Sequence, residues 1–268
     1  MALHTLLYCP PLARSEPPLL SMNGSFTPTA AVLSAQQQDS AAQLISLWQQ
    51  HRVSRYNRYP DATALAAVFV LLVLQQGQAL ALSRQMLQFA VAQAKKQPGC
   101  EVLVCDDMHK AVPAALLSEF AACGAAIKTA ENVHHAMLLA NSQAVITADS
   151  WLGFEALLWQ KPVYTFGMPF YAGWGLTVDE TPIPRRRRSL TRAQLFAAAM
   201  ILAPTWYDPC RDRLCSFEEA VDQLEAETRA FREDRAGYVA FGMRAWKRGR
   251  LQEVFGRETP LLFAKTAA

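Results

Sequence analysis

The residues best suited to chemistry gather around Ser150 and Glu155. Ser150 follows a short apolar run, Ala144-Val145-Ile146-Thr147, and precedes an apolar stretch from Trp151 to Gln160. Such a run reads as a buried parallel strand, and Asp149 or Ser150 then caps the helix behind it. Val163 to Phe166 supplies a second strand. The unit is therefore a tight βαβ, whose right-handed crossover sets the helix start over the carboxyl end of the first strand. Free backbone N–H groups there favour an anion, and Gly153 lets a ligand approach the backbone. A plain N-cap, worth about 1 kcal/mol, accounts for Ser150 without any ligand. Glu155, one turn into the helix, accepts hydrogen bonds from neighbouring hydroxyls of a ligand or complements the helix dipole.

Behind this unit, Gly167, Gly173 and Gly175 alternate with Phe166, Phe170, Tyr171 and Trp174. Glycine with bulky aromatics describes a loop with an adaptable backbone and rigid walls. It either shapes a ligand pocket at the strand carboxyl edge or is stapled to the core by its rings. Asp106, Asp107 and His109 follow another apolar run, Val102 to Cys105. Asp106 and His109 are two metal-compatible side chains without a third, which is more often a polar loop. His134 and His135 at a helix start suit caps or solvated residues. Cys210 and Cys215 form half a zinc site with no second pair, so no metal is expected. Arg185 to Arg188 follow Pro182 and Pro184. They form a solvated run, or one or two of them clamp a carboxylate or phosphate. No basic stripe accompanies them, so nucleic acid is not an expected partner.

The elements that must position these residues alternate. Strands are expected at 68–74, 102–105, 125–128, 144–147 and 163–166. Helices are expected at 80–94, 112–122, 134–140 and 151–160. That order predicts an α/β fold, a Rossmann-like mostly parallel sheet with helices on both faces. Gln36 to His51 has the spacing of an amphipathic connecting helix. Helices at 190–202, 217–231 and 243–254 follow, then a last strand, 261–264, with nothing after it to pair with. With 268 residues and 51% apolar composition the chain can bury a large core, and a net charge of +3 selects no partner. The six cysteines contain no CxxC pair and read as buried reduced thiols. Met1 to Leu12 lacks the basic start of a secretory signal, and the longest apolar run, Ala62 to Leu74, is too short for a membrane span.

The stretch S-W-L-G-F-E-A-L-L-W-Q-K-P-V-Y-T-F-G-M-P-F-Y-A-G-W-G-L-T, residues 150–177, resembles the signature of bacterial capsule-polysaccharide β-Kdo transferases. The likeness extends to Arg185-Arg186-Arg187-Arg188-Ser189-Leu190-Thr191, Ala197 to Leu202, Tyr207-Asp208-Pro209 and Gly242-Met243-Arg244-Ala245-Trp246-Lys247-Arg248. Upstream it reaches Val53-Ser54-Arg55-Tyr56-Asn57. The resemblance implies the donor-binding half of a two-domain GT-B enzyme that moves Kdo from CMP-Kdo to a lipid-linked Kdo acceptor. It implies no cofactor, a cytoplasmic place peripheral to the inner membrane, and capsule assembly proteins as neighbours. The donor-binding set it implies is Ser150, Gly153, Glu155 (on the ribose hydroxyls), Gly167, Phe170, Tyr171, Gly173, Trp174 and His109, with Arg185 and Arg186 clamping the acceptor, a carboxylate or a phosphate.

This sequence also departs from the pattern. Cys105-Asp106-Asp107-Met108-His109-Lys110 keeps the histidine of the family's Lys-x-His-Pro element but not its lysine or proline. Leu20 to Phe26 carries no carboxylate where an acidic first-domain element is usual, and Val73-Leu74-Gln75-Gln76-Gly77 lacks an aspartate. The catalytic residue is therefore unassigned. A degenerate nucleotide-sugar-binding or capsule assembly protein is the alternative function. The expected division is a lead-in and connecting helix (1–60, the remnant of an acceptor-side domain), a nucleotide-sugar-binding α/β domain (61–208), a helical segment (209–256) and a tail that would begin a second module (257–268).

Overall fold

Six short strands assemble into one parallel sheet. The computed structural model describes residues 7–8, 33–61, 65, 68–113, 115–116, 118–119, 126–181, 189–256 and 259–266. Strand β1 (Leu7–Tyr8) and helix α1 (Ala35–His51) come first. The central unit follows as β2 (Phe69–Leu74), α2 (Leu80–Ala94), β3 (Glu101–Asp106), β4 (Ile127–Thr129), α3 (His135–Asn141), β5 (Ala144–Thr147), α4 (Trp151–Leu158), β6 (Val163–Thr165) and β7 (Val178–Asp179). Next are α5 (Arg192–Phe196), a π-helical turn at Ala197–Leu202, the antiparallel pair β8 (Thr205–Asp208) and β9 (Arg213–Cys215), and α6 (Phe217–Asp234). The chain closes with β10 (Val239–Phe241), α7 (Ala245–Phe255) and β11 (Leu262–Ala264).

The sheet order is β4-β3-β2-β5-β6-β7, with every neighbouring pair parallel. All six residues of β2 are buried, because a parallel strand is covered on both faces. The two-residue period of the strand divides them. Phe69, Leu71 and Val73 join a core with Trp48 of α1, Leu138 of α3, Phe154 of α4 and Phe196 of α5. Val70, Leu72 and Leu74 pack beneath Met86, Leu87, Ala90 and Val91 of α2. The expected α/β architecture, with helices on both faces, is present.

Helix starts follow local chemistry. Ser34 with Gln37, Thr191 with Gln194 and Ser216 with Glu219 form capping boxes at α1, α5 and α6. Helix α6 buries Phe217, Ala220, Val221, Leu224 and Thr228, one stripe at helical spacing. Phe217 lies 6.2 Å from Trp48 in a stacked pair and 5.1 Å from Trp206, so α1 and α6 share one core.

Three expectations need correction. The last strand does have a partner: β11 pairs in parallel with β10, a three-residue strand too short to stand out in the sequence. The helix expected over 190–202 is α-helical only to Phe196 and then widens into the π-type turn. Of the cysteines, Cys105 is buried and Cys100 and Cys215 partly so, but Cys210 is exposed; Cys9 and Cys123 lie outside the described residues. Among the described residues, no helix is long and apolar enough to cross a membrane.

Candidate functional site at the carboxyl edge of the sheet

From β2 the chain winds outward to β3 and β4, then returns through α3 to β5 on the other side of β2 and continues to β6. The winding reverses between β2 and β5, and ligands of open α/β sheets bind outside the carboxyl ends of the strands at such a reversal. The residues that follow those ends are Gln75 and Gln76 after β2, Asp107 to His109 after β3, and Asp149 and Ser150 after β5.

Ser150 caps α4. Its hydroxyl accepts from Leu152 N at 3.2 Å, and its carbonyl accepts from the Tyr171 hydroxyl at 2.7 Å. The Asp149 N–H donates to Gln75 Oε1 at 2.9 Å, which ties the β5 end to the β2 end. Asp107 lies beside the side chains of Gln75 and Ser150. Burial, then the neighbouring Asp106, pushes its carboxyl up to about 6, against the opposing pull of Arg55, Gln75 and Ser150. Asp106 is spent on the local turn. Its Oδ1 accepts from Met108 N and Lys110 N at 2.9 and 3.0 Å, and its Oδ2 from Gln76 Nε2 at 2.8 Å.

That turn holds His109 at φ 58°, and its ring lies between two others. Tyr59 stacks on one face at 3.4 Å and His135 on the other at 3.7 Å between centroids. The column is anchored by His135 Nε2, 3.2 Å from the Asp106 carbonyl. His134 reaches Asn57 Oδ1 at 3.2 Å. Both His134 and His135 are fully buried rather than solvated, and His134 is the N-cap residue of α3 without a side-chain cap bond. Burial lowers the pKa of His109 to about 4 and of His134 to about 3, and takes His135 well below the ordinary value, so at neutral pH all three are uncharged.

Glu155 is fully enclosed. Ser54 donates its hydroxyl to Oε2 at 2.7 Å, and Arg55 N donates to Oε1 at 2.8 Å. Burial pushes its pKa up to about 7 despite these donors. Glu155 thus holds the Ser54-Arg55 segment against α4, which leads Tyr56 and Tyr59 across the carboxyl edge.

The glycine-aromatic loop is packed into the core. Phe170, Tyr171 and Trp174 are buried there, with Phe170 5.2 Å from Phe154 and Trp174 Nε1 donating to the Phe170 carbonyl at 2.7 Å. A Cβ at Gly153 would strike the Tyr171 hydroxyl, and one at Gly167 the Asp149 carboxylate. At these two positions glycine is required by neighbouring side chains. Gly173, at φ 77°, donates its N–H to Asp179 Oδ2 at 2.8 Å.

The structure thus brings Ser150 and His109 to one edge and sets Gly153, Glu155, Phe170, Tyr171 and Trp174 in the packing beneath and beside it. Arg185 and Arg186 lie outside the described residues. Sequence reasoning missed Arg55, Tyr59, Gln75 and Asp107 as a group. The Val53-Ser54-Arg55-Tyr56-Asn57 element was the available signal, but only the tertiary structure carries it to α4. Among the described residues, no three His, Cys, Asp or Glu side chains form a metal-binding group.

Comparison with known proteins agrees with this architecture. Residues 102–204 match the family described as capsule polysaccharide biosynthesis protein. The chain is 46% identical over 90 residues to the lipopolysaccharide-processing protein LpsZ of Rhizobium meliloti, covering 34% of this chain and 20% of that protein. It is 37% identical over 125 residues to the capsule polysaccharide modification protein LipA of Neisseria meningitidis serogroup B, covering 44% of this chain and 18% of LipA. The matched stretch therefore spans about a fifth of each curated relative. Among solved structures, the β-Kdo 2,4 transferase of Thermosulfurimonas dismutans KpsC superposes with a TM-score of 0.60 at 26% identity, over 74% of this chain and 65% of that one. The β-Kdo 2,7 transferase of the same KpsC shares the fold with a TM-score of 0.52 at 24% identity, over 73% of this chain and 63% of that one. Over residues 102–204 the chain is thus similar in sequence to the capsule polysaccharide biosynthesis family, and its parallel sheet is similar in fold to the β-Kdo 2,4 transferase of KpsC.

Proposed function

We propose that this chain is the donor-binding half of a GT-B glycosyltransferase of capsule polysaccharide biosynthesis, taking Kdo from CMP-Kdo toward a lipid-linked Kdo acceptor. The observation that carries the reading is the edge between β2 and β5, where Ser150 at the start of α4 lies beside Asp107. In this reading Ser150 and the first turn of α4 take the CMP phosphate. The nucleoside extends toward the Tyr59–His109–His135 column. Two strand spacings, roughly 10 Å, separate the β3 and β5 ends, a reach suited to a nucleotide. Glu155, Gly153, Gly167, Gly173, Phe170, Tyr171 and Trp174 serve by fixing this edge, and Arg185 and Arg186 clamp the acceptor or a carboxylate.

A second reading, a nucleotide-sugar-binding protein without transfer activity, is favoured by the state of the acids. Glu155 and Asp106 are fully engaged by protein donors, and His134 and His135 are neutral and buried. Titration calorimetry with CMP tests the binding claim common to both. Saturable binding that Ser150→Ala weakens by about 1–3 kcal/mol supports it, and unchanged affinity removes Ser150 from the site. Turnover of CMP-Kdo with a Kdo-primed lipid then separates transferase from binding protein.

A further inference from the structure

The Gly242-Met243-Arg244-Ala245-Trp246-Lys247-Arg248 element plays no part in the site at the sheet edge. It lies in β10–α7–β11, a βαβ unit whose two strands, among the described residues, pair only with each other. Helix α7 buries none of its residues. In a parallel βαβ unit the helix starts near the carboxyl end of the first strand, beside the carboxyl end of the second. That end of the unit therefore gathers Phe241, Met243 and Trp246 with Arg244, Lys247 and Lys265, all of them exposed. Trp246 is 71% exposed, the most open of the large apolar side chains here. Lys247 Nζ stands 5.1 Å over its ring.

Charge is concentrated in the same stretch of sequence. Six cations and two acids fall between positions 239 and 266, so this stretch carries +4 and the rest of the chain −1, for a net +3. The N-terminus of α7 adds to the positive field: Arg244 is its N-cap residue and makes no side-chain cap, and no acid lies in its first turn.

We propose that this end of the β10–α7–β11 unit docks on an anionic lipid surface. Trp246, Phe241 and Met243 enter the boundary between headgroups and acyl chains, while Arg244, Lys247 and Lys265 meet lipid phosphates. An acidic protein surface would satisfy the cations but leave the protruding indole without an apolar slot. The headgroup boundary takes both, since tryptophan buries its ring and keeps its N–H among polar groups. The contact does not depend on how the donor is bound.

The test is flotation of the full chain with vesicles of phosphatidylcholine alone or with one third phosphatidylglycerol, at low and high salt. Binding is expected only to the anionic vesicles and is lost at high salt. Trp246→Ala should reduce it clearly, and Lys247→Gln with Lys265→Gln by about thirtyfold, since each cation near such a surface contributes about a factor of five. Melting temperature and CMP affinity should stay at the wild-type values, because these side chains are exposed and lie outside the proposed donor site. Equal flotation of wild type and variants, or none by either, overturns the proposal. So does a doubling of mass in light scattering that Trp246→Ala abolishes, which would make the face a contact between copies.

Discussion

The Tyr171 hydroxyl donates to the Ser150 carbonyl at 2.7 Å, directly over Gly153. The loop that looked like a pocket wall is thereby the brace of the residue that caps α4. Ser150 is positioned from two sides, by the helix it begins and by a ring 21 residues further on.

Tyr171→Phe leaves that buried carbonyl with one donor fewer and should cost about 1–3 kcal/mol of stability. Tyr171→Ala removes a fully buried ring and should cost about 3–5 kcal/mol. Gly153→Ala, which drives a methyl into the hydroxyl, should cost about 1–3 kcal/mol. Urea denaturation measures all three. A Tyr171→Ala midpoint equal to wild type would show that the ring is not a brace.

Glu155 and Asp107 both have raised pKa values, to about 7 and about 6 from 4.5 and 3.8. A carboxyl raised in the folded state holds its proton there longer than in the unfolded chain. The contribution of these two carboxyls to stability should therefore fall as pH rises from about 4 to about 7 and level off above, while the lowered pKa values of His109, His134 and His135 make their own contribution rise over the same range. Glu155→Gln, which cannot ionise, should remove the upper part of that slope. Melting temperature against pH is the measurement, and a Glu155→Gln profile parallel to wild type would deny the enclosure of this carboxylate.

Under the donor reading, an anion bound beside Asp107 meets a second negative charge once Asp107 ionises. CMP affinity should fall as pH rises through about 6. CMP itself titrates in this range, so the readout is the difference between wild type and Asp107→Asn by calorimetry. The variant should bind more tightly above pH 6 and equally below about pH 5. Equal curves throughout would move the phosphate away from Asp107.

Trp48 of α1 is fully buried and stacks on Phe217 of α6. Trp48→Ala should cost about 3–5 kcal/mol and unfold the sheet and α6 in a single transition. Two resolved transitions in calorimetry would mean that α6 melts apart from the sheet.

Tertiary structure decided where the chemistry points. Glu155 sits one turn into a helix at a strand's carboxyl end, the sequence context of a ligand carboxylate. Its partners are Ser54 and Arg55, about a hundred residues earlier, and no local pattern records such a pairing. The same holds for the Tyr59–His109–His135 column, built from three separate segments by a turn that Asp106 ties. Short strands such as β7 and β10 depend on a neighbour for their hydrogen bonds, so two or three residues carry no period of their own. What the sequence determined by itself was the parallel sheet and the start of α4. Runs such as Phe69–Leu74 and Ala144–Ile146 are apolar at every position, which only a strand covered on both faces requires, and Ser150 marks the point where such a run gives way to a helix.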